Sequence, residues 1–175
     1  MIALYIALGI IALILIIPIF ISTDMEYEKT MDINANPETV WPYVSQLKEM
    51  DRWSPWVEKD PNMKKTFTGT DGTPGASQGW EGNKAVGQGS QTLISLDPPN
   101  RVETRLDFIK PFKSTAQAWI NLEKITEGTR VAWGFKSKIQ YPMNIMKLFI
   151  NFKKNMDKEF GGGLNKLKKL AENKQ

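Results

Sequence analysis

From Ile2 to Ser22 the chain carries no charged side chain, and nearly every position is Ile, Leu, Ala or Phe. A helix of that length rises roughly 30 Å at about 1.5 Å per residue, which matches the hydrocarbon thickness of a bilayer. A core helix of a soluble protein shows a polar stripe, and this stretch shows none. Pro18 falls near its end, where a kink is tolerated. The competing reading is a cleaved signal peptide. Against it, no Lys or Arg precedes the stretch, it exceeds a usual signal h-region, and no A-x-A site follows. Residues 1–23 are therefore expected to form a retained, single-pass transmembrane anchor, with residues 24–175 as one domain behind it. Orientation does not follow from the flanks. Asp24, Glu26 and Glu28 come first, Lys29 is the first cation, and neither side holds the excess of Lys and Arg that sets topology.

About 150 residues suffice to enclose a core. Glu26–Asn34 alternates, with Tyr27, Met31 and Ile33 opposite Glu28, Thr30 and Asp32, and reads as a half-buried strand. Asn36 and Pro37 then suit the N-cap and first position of a helix carrying Val40, Trp41, Val44 and Leu47. A second helical turn is expected over Lys48–Trp53, ended by Pro55. Six strands follow, at Lys64–Gly69, Ala76–Gly82, Gly87–Leu96, Val102–Phe108, Ser114–Ile125 and Thr129–Ile139, divided by glycine and proline turns. Val102, Leu106 and Phe108 oppose Arg101, Glu103, Arg105 and Asp107; Val131, Trp133, Phe135 and Ile139 oppose Arg130, Lys136 and Lys138. After Pro142 one apolar stripe (Met146, Phe149, Phe152, Met156, Phe160, Leu164, Leu167, Leu170) predicts a single long helix to the C-terminus. The expected class is α+β: a seven-stranded antiparallel curved sheet around a long C-terminal helix, a helix-grip arrangement preceded by one transmembrane helix.

Two absences narrow the chemistry. Without cysteine there is no disulfide, thiolate nucleophile, zinc–thiolate site or iron–sulfur cluster. Without histidine, Ser-His-Asp and Cys-His arrangements, imidazole metal sites and the commonest general base are gone too. No metal or cofactor is expected. The glycine cluster lacks the G-K-[ST] ending of a phosphate-binding loop. The stretch 136–175 holds ten Lys against Asp157, Glu159 and Glu172. Those lysines fit a solvated helix face, or attraction to an anionic membrane surface. No nucleic-acid reader motif accompanies them, so a nucleic-acid partner is not expected.

Asn34-Ala35-Asn36-Pro37-Glu38-Thr39-Val40-Trp41, Trp53-Ser54-Pro55-Trp56, Trp80-Glu81-Gly82-Asn83, Gly87-Gln88-Gly89 and Gly163-Leu164-Asn165-Lys166-Leu167-Lys168 carry a resemblance. Together with the element order, they make everything after the anchor resemble the START-like superfamily, also called SRPBCC or polyketide cyclase/dehydratase-like. The resemblance implies a deep, mostly apolar cavity between sheet and helix that holds lipids or other hydrophobic molecules. Some members catalyse cyclisation or dehydration there, and fold alone does not choose between those outcomes.

Trp56, Trp80, Phe108, Trp133, Phe135, Phe149, Phe152 and Met156 are the candidate ligand contacts; the same residues would equally fill a solid core. Trp53 and Trp56 suit either a lid over the cavity mouth or a staple holding a loop to the core. Glu81 is a weak candidate general acid or base, because a carboxyl group in an apolar pocket has a raised pKa. By alternation, however, it points away from whichever side Trp80 faces. Tyr141 is a weaker candidate of the same kind. Gly161-Gly162-Gly163 should cost the last helix about 2–3 kcal/mol relative to alanine, and implies a helix break, close packing, or a gap admitting ligand. The leading expectation is a membrane-anchored, non-catalytic binding domain for a hydrophobic small molecule or lipid. The alternatives are a cyclase/dehydratase-like enzyme using a pocket carboxylate, and a stress-response or assembly domain with a solid core and no ligand.

Overall fold

The computed structural model describes residues 1–173; the last two positions of the expected domain, 174 and 175, lie outside the described residues. The apolar run forms helix α1 (Ile2–Ile16), continued by a 3-10 turn over Ile17–Phe20 that contains Pro18. Ile2–Phe20 is 19 residues long and apolar enough to cross a membrane. No side chain of α1 is buried against the rest of the protein.

Strand β1 (Asp24–Ile33) buries Tyr27 and Ile33 and exposes Glu28 and Asp32. Helix α2 (Pro37–Ser45) starts at the expected proline. Asn36 stands at the N-cap as expected, in an extended conformation, though its side chain makes no capping hydrogen bond. The single helical turn expected at Lys48–Trp53 is instead two. Helix α3 (Leu47–Met50) is capped from a distance by Asp71, whose carboxylate accepts from the backbone N–H groups of Leu47 at 2.7 Å and Lys48 at 3.1 Å. Helix α4 (Pro55–Lys59) begins at the proline that was expected only to end a helix. The first helical position needs no N–H donor, so proline serves equally well as a start.

The strands β2 (Lys64–Thr68), β3 (Ser77–Glu81), β4 (Gln88–Asp97), β5 (Arg101–Lys110), β6 (Ser114–Ile125) and β7 (Gly128–Lys138) complete a seven-stranded antiparallel sheet. Its order is β1-β7-β6-β5-β4-β3-β2, so the chain crosses from one edge of the sheet to the other once, between β1 and β2 through α2–α4, and β7 returns to lie beside β1. Register shifts in the β4–β5 pair, at Gln88/Gly89 and Leu93/Ser95, bend the sheet where it must curl. Glycine permits two close approaches across strands. The Trp80 ring lies over its register partner Gly89 and the Trp119 ring over Gly134, so a Cβ at either glycine would overlap the indole.

The long helix differs from expectation. Residues 143–148 form a separate 3-10 turn, and helix α5 (Phe152–Glu172) begins only after Asn151, whose side chain accepts from the Lys154 N–H at 3.0 Å. At the break, Asn144 bonds to carbonyls at the end of the N-terminal helix and Lys147 to carbonyls of the segment leading into β1. Met146 and Phe149 therefore leave the stripe. The three glycines do not interrupt α5. At Gly163 a Cβ would stand 2.9 Å from the Trp133 ring and 3.2 Å from Pro55, which explains close packing there; at Gly162 it would meet open space.

Because all neighbouring strands are antiparallel, the sheet has two distinct ends. One gathers the start of β1, the β3–β4 loop, the β5–β6 hairpin and the end of β7. The other gathers residue 34, the β4–β5 turn and the β6–β7 hairpin. At this second end Val40, Val44, Leu47, Val131, Leu164, Leu167 and Ala171 are all within 1% of full burial. Here α2, α5 and the sheet form the packed core.

Candidate functional site

Alternation along β5 turns Val102, Thr104, Leu106 and Phe108 to the concave face, and β7 does the same with Trp133 and Phe135. Between that face, the α3–α4 segment and the first turns of α5 the protein is hollow. The cavity has a volume of about 810 Å³, large enough for a drug-sized or lipid-like molecule. It is no solid core.

An aromatic band separates the cavity from the packed end. The Trp133 and Phe160 rings stack with centroids 4.0 Å apart, and Trp53 and Trp56 meet Trp133 edge-on at 4.9 Å and 5.7 Å. Trp53 is a staple: it is buried, and its indole N–H donates to the Tyr43 carbonyl at 2.9 Å. Trp56 is half-buried and lines the cavity. On the far wall Trp80 and Phe108 meet edge-on at 5.8 Å.

Of the sequence-expected contacts, Trp56, Trp80, Phe108, Trp133, Phe135, Phe152 and Met156 line the cavity. Phe149 does not: it is 78% exposed on the segment before α5, because the helix that would have turned it inward starts three residues later. Glu81 also lies outside. It is exposed and borders a separate shallow cleft with Asn83, Gln88 and Lys110, on the face opposite Trp80, as the period-two geometry of a strand requires. The Tyr141 hydroxyl donates to the Leu15 carbonyl at 2.8 Å and faces no substrate space.

Sequence reasoning missed a polar patch on the cavity wall. Gln78, 6% exposed, donates through Nε2 to both oxygens of Asp51 at 3.0 Å and 2.9 Å, and Lys65 pairs with the same carboxylate at 2.8 Å. Gln91, the register partner of Gln78, reaches Thr104 Oγ1 at 3.4 Å. The Trp80 indole N–H, also on this wall, has no partner among the described residues. A signal was present. If Trp80 faces in, so does Gln78 two residues earlier. Asp51 gave none, since a turn sets its direction.

The cavity opens toward the sheet end at which α1 enters. Its deep lining, Trp53, Val102 and Ile120, is buried, whereas Phe112, Lys113, Met143, Met146 and Ile150 at its rim are exposed.

Residues 24–172 match the family model described as "Polyketide cyclase / dehydrase and lipid transport". The chain belongs to this family. The match runs from the start of β1 to the end of α5 and leaves out the N-terminal helix. Solved structures share the fold at low identity. A Rhizobium loti protein is 14% identical with a TM-score of 0.63, over 84% of this chain and 96% of that one. A Chromobacterium violaceum protein is also 14% identical, with a TM-score of 0.61 over 84% and 96% of the two chains. The di-domain ARO/CYC StfQ from the steffimycin biosynthetic pathway is 11% identical with a TM-score of 0.61; the likeness covers 87% of this chain and 52% of StfQ. Among curated proteins no match was found. The family thus agrees with the SRPBCC resemblance read from the tryptophan and glycine motifs.

Proposed function

We propose that residues 1–23 anchor the protein to a membrane as a single-pass helix, and that the domain at 24–175 binds a lipid or other hydrophobic small molecule without transforming it. The observation that carries this is the 810 Å³ cavity walled by Trp56, Trp80, Phe108, Trp133, Phe135, Phe152 and Met156. A cavity of that size lined mainly by apolar side chains removes much of a hydrophobic ligand's surface from water, which favours binding. Membership of a family described by cyclase, dehydrase and lipid transport points to the same ligand class.

Asp51 is the carboxylate among the described lining residues. Both its oxygens accept hydrogen bonds from Gln78, and Lys65 sits on one of them. These bonds hold the carboxylate in place on the cavity wall as a hydrogen-bond acceptor. The unpartnered Trp80 N–H and the loosely held Gln91 amide would receive a carbonyl or hydroxyl group on a mainly apolar ligand.

Native mass spectrometry of the full-length protein, extracted in detergent, tests the reading. A co-purified lipid-sized mass is expected in the native protein and is lost in Ala118→Phe, which fills the cavity. If nothing apolar co-purifies, and no lipid extract raises the melting temperature, the binding reading is overturned. Turnover of a bound ligand that stops in Asp51→Asn would move the protein to the enzyme class.

A further inference from the structure

The apolar surface that the fold leaves uncovered is concentrated at one end. Beyond the N-terminal helix, the exposed large hydrophobic residues among those described include Ile109, Phe112, Tyr141, Met143, Met146, Leu148, Phe149 and Ile150. All eight belong to the β5–β6 hairpin or to the segment between β7 and α5, at the sheet end where the N-terminal helix joins β1. Phe67 and Ile94 are the exceptions elsewhere. Phe112 is 68%, Leu148 60% and Phe149 78% exposed, values that a water-facing surface does not favour.

Hydrogen bonds fix this end against the helix. Asn144 is 1% exposed, and its amide donates to the carbonyls of Pro18 at 2.8 Å and Ile21 at 2.7 Å. The Lys147 ammonium donates to the carbonyls of Ser22 and Asp24, each at 2.9 Å. These four bonds tie the segment between β7 and α5 to the backbone that runs from the 3-10 turn into β1.

The tethers set depth. A helix of 19 residues is barely as long as the hydrocarbon is thick, so Phe20 lies at the boundary when the helix spans. The Tyr141 hydroxyl bonds the carbonyl of Leu15, five residues or roughly 8 Å before that boundary. Tyr141 therefore reaches into the membrane's edge, where tyrosine is favoured. Lys110 and Lys113 flank Phe112, and Lys153 and Lys154 follow Phe152, a spacing that suits cations at the headgroup level beside inserted rings.

We infer that this rim, Phe112 with Leu148, Phe149 and Ile150, is inserted into the same bilayer that holds the N-terminal helix. The cavity mouth then opens onto lipid rather than water. Phe112, Met146 and Ile150 line that mouth, so a lipid passes from the leaflet into the cavity along a continuous apolar path. The inference rests on the anchor reading and deepens it, naming the ligand class as lipid of the host membrane and the occupant of the rim as the bilayer.

The absence of cysteine makes the test clean. Full-length Phe149→Cys, Phe112→Cys and Ile94→Cys are labelled with an environment-sensitive fluorophore and reconstituted into phosphatidylcholine–phosphatidylglycerol vesicles. Labels at positions 149 and 112 should be blue-shifted and quenched several-fold more by lipid-borne nitroxide than by aqueous iodide. The label at 94 should show the reverse. Iodide quenching at 149 and 112 equal to that at 94 overturns the inference. So does shielding from both quenchers, which would mean that a second copy covers the rim. Alkaline carbonate washing of the same vesicles reads the anchor separately: release of the protein sinks the anchor reading itself. If the labels are buried in lipid while native mass spectrometry finds no bound lipid, the rim inference stands and the ligand reading fails.

Discussion

The two ends of this domain share one sheet and one long helix, yet one is packed and the other hollow. At the packed end α5 presents Leu164, Leu167 and Ala171, and α2 adds Val40, Tyr43 and Val44, all at most 1% exposed. At the hollow end α5 presents Phe152 and Met156, both half-buried, and these face the cavity rather than a packed core. Close packing and open volume are thus divided along a single helix, with Trp133 stacked on Phe160 as the partition. A fold of this kind tolerates a void because the other half is close-packed and connected to it by rigid strands.

The comparison can be broken most forcefully at the packed end. Leu167→Ala should lower unfolding free energy by about 2–5 kcal/mol in urea titration. Met156→Ala, at the hollow end, should cost much less, because its side chain already borders empty space. Equal losses would mean that the cavity is filled by the protein itself.

The adjacent glycines sharpen the contrast over a single residue step. Gly163→Ala drives a methyl group against Trp133 and Pro55 and should destabilise by about 1–3 kcal/mol. Gly162→Ala meets nothing and should stabilise by up to about 1 kcal/mol through helix propensity. Thermal melts of the two variants should move in opposite directions.

Ala118→Phe, whose ring has the cavity to enter, should cost ligand-free protein no more than about 1–3 kcal/mol of stability while abolishing lipid retention. A large loss of stability would show that the cavity wall is as tightly constrained as the core.

The smallest effect lies where β1 meets α5. The Tyr27 phenol is pushed up to about 12, first by burial and then by its hydrogen bond to Asp157 at 2.8 Å. The native state keeps a proton that the unfolded chain releases near pH 10, so stability is full below that and falls as pH rises toward about 12. Asp157 behaves oppositely. Lys29 first, and Tyr27 second, hold its carboxyl below the usual range, so its contribution is present above the ordinary carboxylate pKa and lost in acid. Tyr27→Phe should flatten the alkaline limb of a stability–pH curve, and Asp157→Asn the acid limb.

Much of the fold was legible in the chain. Period-two alternation gave the strands to within a few residues, because one sheet face must be apolar when a helix covers it. Phe108, Trp133 and Phe135 were placed on the concave face for the same reason, and Glu81 was already directed away from Trp80. Continuous hydrophobicity marked the helix that is long and apolar enough to cross a membrane, since no side chain from Ile2 to Ser22 is charged. The tryptophan and glycine motifs marked the family.

Other features were decided only by tertiary structure. The apolar stripe from Met146 to Leu170 looks like one helix, but Asn144 finds carbonyls at the end of the N-terminal helix and Lys147 those just before and at the start of β1, more than a hundred residues away in sequence. That competition breaks the pattern and leaves Phe149 outside the cavity. Asp51 and Gln78 meet through a turn and a strand whose spacing carries no periodic signal. The void itself has no local signature. Identical residue types fill a core or line a cavity, and the distance between helix and sheet, fixed by contacts throughout the domain, determines which.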